Sequence, residues 1–167
     1  MIAGTMMIRE PVWAGRFYSA DPGQCLADLK QCLSTSRGRA ESANEELKAD
    51  AIIGGVVPHA GWMYSGALAG RVFSAIASRK SPDVVIVFGA IHVPRVHITA
   101  MYPSGAWKTP LGLATVDDRL VQRLHERTDL MNLDSHAHER EHSIEVEVPF
   151  IQHLLPNSTI VPIMTPA

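Results

Sequence analysis

The chain has 167 residues, of which 46% are hydrophobic and 19% are charged, and its formal net charge is −2. This size and composition are typical of one globular domain and exclude a disordered or fibrous protein. Because phosphate binding requires a dense basic patch, the slightly acidic charge also argues against a nucleic-acid-binding protein.

The N-terminus and the cysteines predict a cytoplasmic protein. The first fifteen residues lack the basic start and long apolar stretch of a secretion signal, and no window is long enough to cross a membrane. Cys25 and Cys32 share one face of a predicted helix with several leucines, so they are interpreted as buried core thiols. With no disulfide framework, a reducing compartment is expected.

In chain order, Asp21 and Pro22 begin the first predicted helix, as N-cap and first helical residue. Its apolar period fades near residues 34–38, and the polar stretch 36–50 predicts a surface connection. Residues 51–57 are a short apolar run that predicts a buried strand.

The later predicted elements alternate between helix and strand: a helix over 65–79, strands over 83–88 and 96–101, a helix from Asp117, a helix over 140–155 and a strand over 159–164. Pro149 is expected to kink the helix that contains it. This alternation predicts one α/β domain over residues 1–167, a three-layer α/β/α sandwich with a largely parallel sheet. Because the chain stops directly after an apolar strand, the sheet is expected to be incomplete at the C-terminus.

Two histidines follow predicted buried strands. His59 lies in the loop 58–66 and His92 in the loop 89–94. Ligand crevices in open α/β sheets lie beyond the carboxyl ends of the strands, so the two imidazoles are expected to converge on a metal. Trp62 and Tyr64 flank the first histidine and are interpreted as walls of a substrate pocket, with ordinary packing an equal alternative for Trp62.

The densest polar cluster extends from His136 to Glu145. His138 and His142 form an H-E-x-x-H pattern, which would be a zinc peptidase motif on a helix, but His138 lies too early in the predicted helix to share its regular face. A better interpretation pairs His142, as a catalytic acid–base, with Glu145, three residues on, as the carboxylate that orients it. Glu139, Arg140 and Glu141 are expected to form an exposed helix start.

Four motifs occur in succession: Ala14-Gly15-Arg16-Phe17-Tyr18, Pro58-His59-Ala60-Gly61 with Tyr64-Ser65-Gly66, Thr109-Pro110-Leu111-Gly112, and Glu141-His142-Ser143-Ile144-Glu145. In this order and spacing they resemble the MEMO family, whose bacterial and archaeal members are called AmmeMemoRadiSam system protein B. The resemblance covers nearly the whole chain. It implies a fold similar to class III extradiol dioxygenases, which hold non-haem iron.

The resemblance implies a metal site at His59 and His92 with His142 nearby, iron being the first choice and copper or zinc the alternatives. It implies that a further ligand and pocket residues, including a cysteine, come from a C-terminal portion that this chain does not contain. It also suggests association with a radical-SAM partner system. Two departures bear on the pocket: Trp62 replaces the usual Tyr, and Gly89-Ala90-Ile91-His92-Val93 has one histidine where the family has a pair.

Two classes of function follow. The first is a metal-dependent oxidoreductase, dioxygenase-like, acting on an unknown small aromatic or phenolic molecule, with His142 as acid–base. The second is a binding module without turnover that holds a peptide or stores metal, which the missing loop histidine favours. A zinc peptidase using His138 and His142 is a weaker third hypothesis.

Overall fold

The computed structural model describes residues 6–46, 52–79, 81–92 and 97–166. The described part contains four α-helices: α1 (Pro22–Glu46), α2 (Trp62–Ala77), α3 (Asp118–His125) and α4 (Val148–Leu154). It contains seven strands: β1 (Ile8–Arg9), β2 (Val84–Ala90), β3 (Thr99–Met101), β4 (Ala106–Thr109), β5 (Gly112–Thr115), β6 (Met131–Leu133) and β7 (Thr159–Thr165). The predicted α/β class is therefore confirmed.

The strands form two open sheets. One has the order β2-β7-β3-β6, in which β2 is parallel to β7, β3 is antiparallel to β7, and β6 is parallel to β3. The other has the order β1-β4-β5, and its β4–β5 hairpin turns at Pro110 and Leu111. A bridge between Val116 and Ile160 joins β7 to the segment after β5. The central strand β7 is buried at five of its seven residues, because it lies between neighbours on both sides.

Helix α1 begins where the sequence predicts, with the Gln24 amide donating to Asp21 Oδ1 at 2.8 Å. It does not fade near residue 36 but continues to Glu46. The apolar period did not predict this extension, whereas the Ala and Glu residues of 40–46 have high intrinsic helix propensity. Helix α2 packs closely on α1, and a Cβ at Gly66 would lie 2.5 Å from Cys32 Sγ, so glycine is needed at this contact.

Two predicted elements are wrong. Residues 52–59 form no strand, and Ile53 and Val56 are almost fully exposed. An apolar run becomes a strand only when a neighbouring strand takes its hydrogen bonds, and none of the described strands does so. The predicted helix over 140–155 is also reduced: 143–147 are turns, and α4 starts at Val148 because proline is well tolerated in the first helical turn.

The core lies between β7, α2 and α4 and includes the fully buried side chains of Phe150, Ile151, Ile160 and Ile163.

Among the described residues, no helix combines the length and apolarity that crossing a membrane would need. Strand β2 forms one edge of its sheet, and its Phe88 side chain is 66% exposed.

Candidate metal centre

Three histidines from separate parts of the sequence meet at one end of the larger sheet. His59 lies three residues before α2, His92 follows β2 by two residues, and His142 directly precedes the turns at 143–147 that lead into α4. One ring nitrogen from each can be chosen so that all three lie within 4.8 Å of one another. The ring centroids are 5.3 Å apart for His59–His92, 5.5 Å for His59–His142 and 4.7 Å for His92–His142.

The surroundings keep two of these imidazoles neutral. Burial lowers the pKa of His59, and the neighbouring His92 lowers it further. Burial also lowers the pKa of His142, with His92 and His59 adding to the effect against the opposing influence of Glu141. A neutral imidazole has one ring nitrogen with a free lone pair, which is the form that binds metal. His59 and His142 therefore present metal-binding forms at neutral pH.

Glu141 is the site residue that sequence reasoning placed wrongly. It was expected on an exposed helix start, but its side chain is fully buried and contacts both His92 and His142. Burial alone would raise its pKa, but hydrogen bonds from His92, Ser143 and His142 outweigh burial and lower it. Glu141 is thus held as a carboxylate beside the imidazoles. The sequence signal that could have found it is its position immediately before His142.

Glu145 contacts a different set of groups from those expected. Its Oε2 accepts from Arg9 Nη1 at 2.7 Å, and its Oε1 accepts from the Trp13 amide at 2.7 Å and the Tyr18 hydroxyl at 3.0 Å. These bonds hold the N-terminal segment against the turns that carry His142. The carboxylate nearest to His142 Nδ1 is Glu141, at 3.2 Å. A catalytic role for Glu145 stays a prediction.

The two aromatic residues assigned to the pocket have different environments. Trp62 is buried, stacks on Tyr18 and donates from Nε1 to the Val146 carbonyl at 2.9 Å. Tyr64 is 80% exposed on α2. The rings that contact His142 come instead from the N-terminal segment: Trp13 at 5.3 Å and Phe17 at 4.9 Å between centroids.

A cavity of about 700 Å³ lies between the N-terminal segment, α1 and α2. Phe17 and Trp62 line it, together with Arg16 and Cys32. Phe17 also contacts His142, so this ring lies between the cavity and the histidine cluster, although none of the three histidines lines the cavity. A volume of this size accommodates a small organic molecule.

The H-E-x-x-H segment does not have peptidase geometry. Residues 136–138 form a 3₁₀ turn and 139–142 are not helical, so His138 and His142 share no helix face. His138 is fully buried, its Nε2 is 3.1 Å from the Ala100 carbonyl, and burial lowers its pKa to about 4. Helical spacing is what places both histidines of this motif on one zinc ion.

The buried carboxyl of Glu147, in the turns before α4, predicts a pH dependence of stability. Burial raises its pKa to about 8, and its Oε2 has no hydrogen-bond partner within the described ranges. The folded chain therefore keeps a proton that the unfolded chain releases above its ordinary pKa of 4.5. We expect the free energy of unfolding to fall as the pH rises from about 4.5 towards about 8, at up to about 1.4 kcal/mol per pH unit.

Glu147→Gln should flatten this fall, measured by urea unfolding at about pH 5 and about pH 8. The exposed Glu139→Gln is the control and should keep the wild-type slope. Equal slopes in wild type and Glu147→Gln would show that Glu147 does not carry the effect.

Together, the fold and the histidine cluster define an α/β protein with a candidate three-histidine metal centre. The family model described as Memo-like protein matches residues 9–167. A MEMO1 family protein of Pyrococcus furiosus is 40% identical over 148 residues, covering 89% of this chain and 48% of that protein. Those of Caldivirga maquilingensis and Sulfolobus acidocaldarius are 35% and 38% identical, covering 95% of this chain and 56% and 57% of their own lengths.

This chain belongs to the Memo family, as its four sequence motifs predict. It spans about half the length of the curated relatives that it matches.

Proposed function

We propose that His59, His92 and His142 bind one transition-metal ion, with iron as the first choice and copper or zinc as alternatives. The main support for this proposal is that one ring nitrogen from each of the three histidines lies within 4.8 Å of the other two. Imidazole suits all three metals, and three protein ligands leave a coordination position open for a substrate or water.

The donor set fits such an ion. Two of the three imidazoles have lowered pKa values, so proton competition with the metal is weak near neutral pH. The buried carboxylate of Glu141 supplies negative charge next to the cluster, which partly offsets the charge of a cation.

The chemistry proposed for the site is metal-dependent oxidation of a small organic molecule in the cytoplasm. A bound metal would supply Lewis acidity and redox capacity there. Trp13 and Phe17 pack on the His142 ring and exclude water from that side of it. The adjoining cavity, with Phe17 and Trp62 in its wall, would bind an aromatic substrate by ring packing. Association with a radical-SAM system remains part of the proposal.

A binding module without turnover is the second candidate. The segment after β2 offers His92 where the family motif has two histidines, so a ligand or proton donor of the reaction is missing there. The same site would then hold metal or a peptide without reacting. Metal binding is common to both candidates, whereas turnover distinguishes them.

The experiment is elemental analysis of protein purified without oxygen, for wild type, His59→Ala and His92→Ala. We expect about one equivalent of iron, copper or zinc in wild type and loss of that metal in both variants. His136→Ala is the matched control, because His136 is 84% exposed and pairs with Glu139. Metal absent from folded wild type, or retained in both variants, would overturn the proposal.

A further inference from the structure

One buried carboxylate, Glu141, connects the two segments that carry His92 and His142. Its Oε2 accepts from the His92 amide at 2.6 Å. Its Oε1 accepts from the amides of His142 at 2.8 Å and Ser143 at 3.1 Å, and it lies 2.9 Å from His92 Nδ1. Four nitrogen atoms thus surround a single side chain.

The chemistry of these contacts fixes where the ring proton of His92 lies. An ionised carboxylate only accepts hydrogen bonds, so the Nδ1 that faces it must carry the proton. In a neutral imidazole the other nitrogen, Nε2, then has the free lone pair. The His142 ring makes no such bond to Glu141 within the described residues; its backbone amide donates to Oε1 instead, so the tautomer argument applies to His92.

Further contacts hold the two segments at this separation. Ser143 Oγ donates to the Ala90 carbonyl at 3.1 Å, and Arg9 Nη2 donates to the carbonyl of Glu141 at 2.8 Å. A Cβ at Gly89 would lie 2.5 Å from Ser143 Oγ, so glycine is required for the segments to approach. The position of Glu141 is therefore fixed by several contacts between these segments and with Arg9.

We infer that Glu141 is the positioning residue of the histidine cluster: it orients the His92 ring so that Nε2 is directed towards the metal, and it holds the backbone of His142 beside it. This inference rests on the proposed metal site. A carboxylate that accepts a hydrogen bond from the ring N–H of a metal-binding histidine typically raises metal affinity 10- to 100-fold. We expect the loss of Glu141 to lower metal affinity by roughly that factor. Glu145, the carboxylate expected from the sequence to do this, is engaged by Arg9 and Tyr18.

The first test uses metal-free wild type and reads the tautomer directly. Long-range ¹⁵N–¹H correlation spectra at mildly alkaline pH distinguish Nδ1–H from Nε2–H rings, and His92→Asn identifies the His92 signals. We expect His92 as the Nδ1–H tautomer. An Nε2–H tautomer, or an equal mixture of both, would overturn the inference whether or not the protein binds metal.

The second test measures zinc affinity by competition with a chromophoric chelator in wild type, Glu141→Gln and Glu139→Gln. Glutamine keeps the shape of Glu141 but replaces one acceptor by a donor, which then faces the donors around it. We expect Glu141→Gln to weaken zinc binding roughly 10- to 100-fold and Glu139→Gln to leave it unchanged.

The outcomes separate the inference from the proposed function. Zinc binding by wild type and by a folded Glu141→Gln with equal affinity would overturn the inference while the metal site stands. Failure of wild type to bind zinc or iron would overturn the metal site, while the tautomer of His92 would still decide what Glu141 does. The wild-type tautomer also decides the inference if Glu141→Gln does not fold.

Discussion

Replacing Arg9 with Met is expected to lower the free energy of unfolding by about 3–5 kcal/mol, because it removes one partner of a buried ion pair. The guanidinium and the Glu145 carboxylate are almost completely buried and 2.7 Å apart. Arg9 also donates to the carbonyls of His138 and Glu141, both at 2.8 Å, and lies 4.2 Å above the Trp107 ring. Methionine fills similar volume but removes these donors and leaves the buried Glu145 carboxylate without its cation.

The remaining donors to Glu145, the Val12 and Trp13 amides and the Tyr18 hydroxyl, cannot neutralise its charge. Chemical denaturation of Arg9→Met measures the loss. Lys108→Met is the matched control, since Lys108 forms an exposed ion pair with Glu10 and should cost about 0–1 kcal/mol. A loss below about 1 kcal/mol for Arg9→Met would contradict the assigned role of this network.

His142→Ala is expected to weaken metal binding by roughly 100-fold or more. Zinc sites with four ligands bind with about 10–16 kcal/mol, or about 3 kcal/mol per ligand, and each 1.4 kcal/mol is tenfold in affinity. The variant also separates two roles for His142. A ligand loses metal when it is removed, whereas an acid–base group loses turnover and keeps the metal.

Zinc affinity of His142→Ala, compared with wild type and the exposed-surface variant His136→Ala, makes this distinction. His142 packs against Trp13 and Phe17, so circular dichroism should first establish that the variant is folded. Unchanged zinc affinity in folded His142→Ala would show that His142 is not a metal ligand. The catalytic acid–base role predicted from the sequence would then be the remaining hypothesis.

The sequence identified the three histidines of the cluster but not the residues that hold them. His59 and His92 could be found because each follows an apolar run and crevices are expected at strand ends, although only the run before His92 forms a strand. Arg9 and Glu141 could not, because charged residues are usually exposed and nothing local indicates a partner more than 40 residues away. Glu145 and Glu141 share the signature of an acidic residue near His142, and only tertiary contacts distinguish them.

The fold was predictable where local pattern and tertiary environment agree. Strands β2 and β7 are apolar runs with partners along their full lengths, and both were predicted. Strand β1 has two residues and exists because it pairs with β4, which no pattern in Ile8–Arg9 predicts. The opposite case is the apolar run with Ile53 and Val56. It was predicted as a strand, but none of the described strands pairs with it, and both side chains are exposed.

The most direct test of the metal site is titration of metal-free wild type with cobalt(II) in the absence of oxygen, followed by visible absorption. The three-histidine site predicts saturation at about one equivalent, with absorption bands of a low-symmetry, nitrogen-ligated ion that added zinc abolishes. Absorption that rises without saturation, or stays that of hydrated cobalt in a folded protein, would contradict a metal site at His59, His92 and His142.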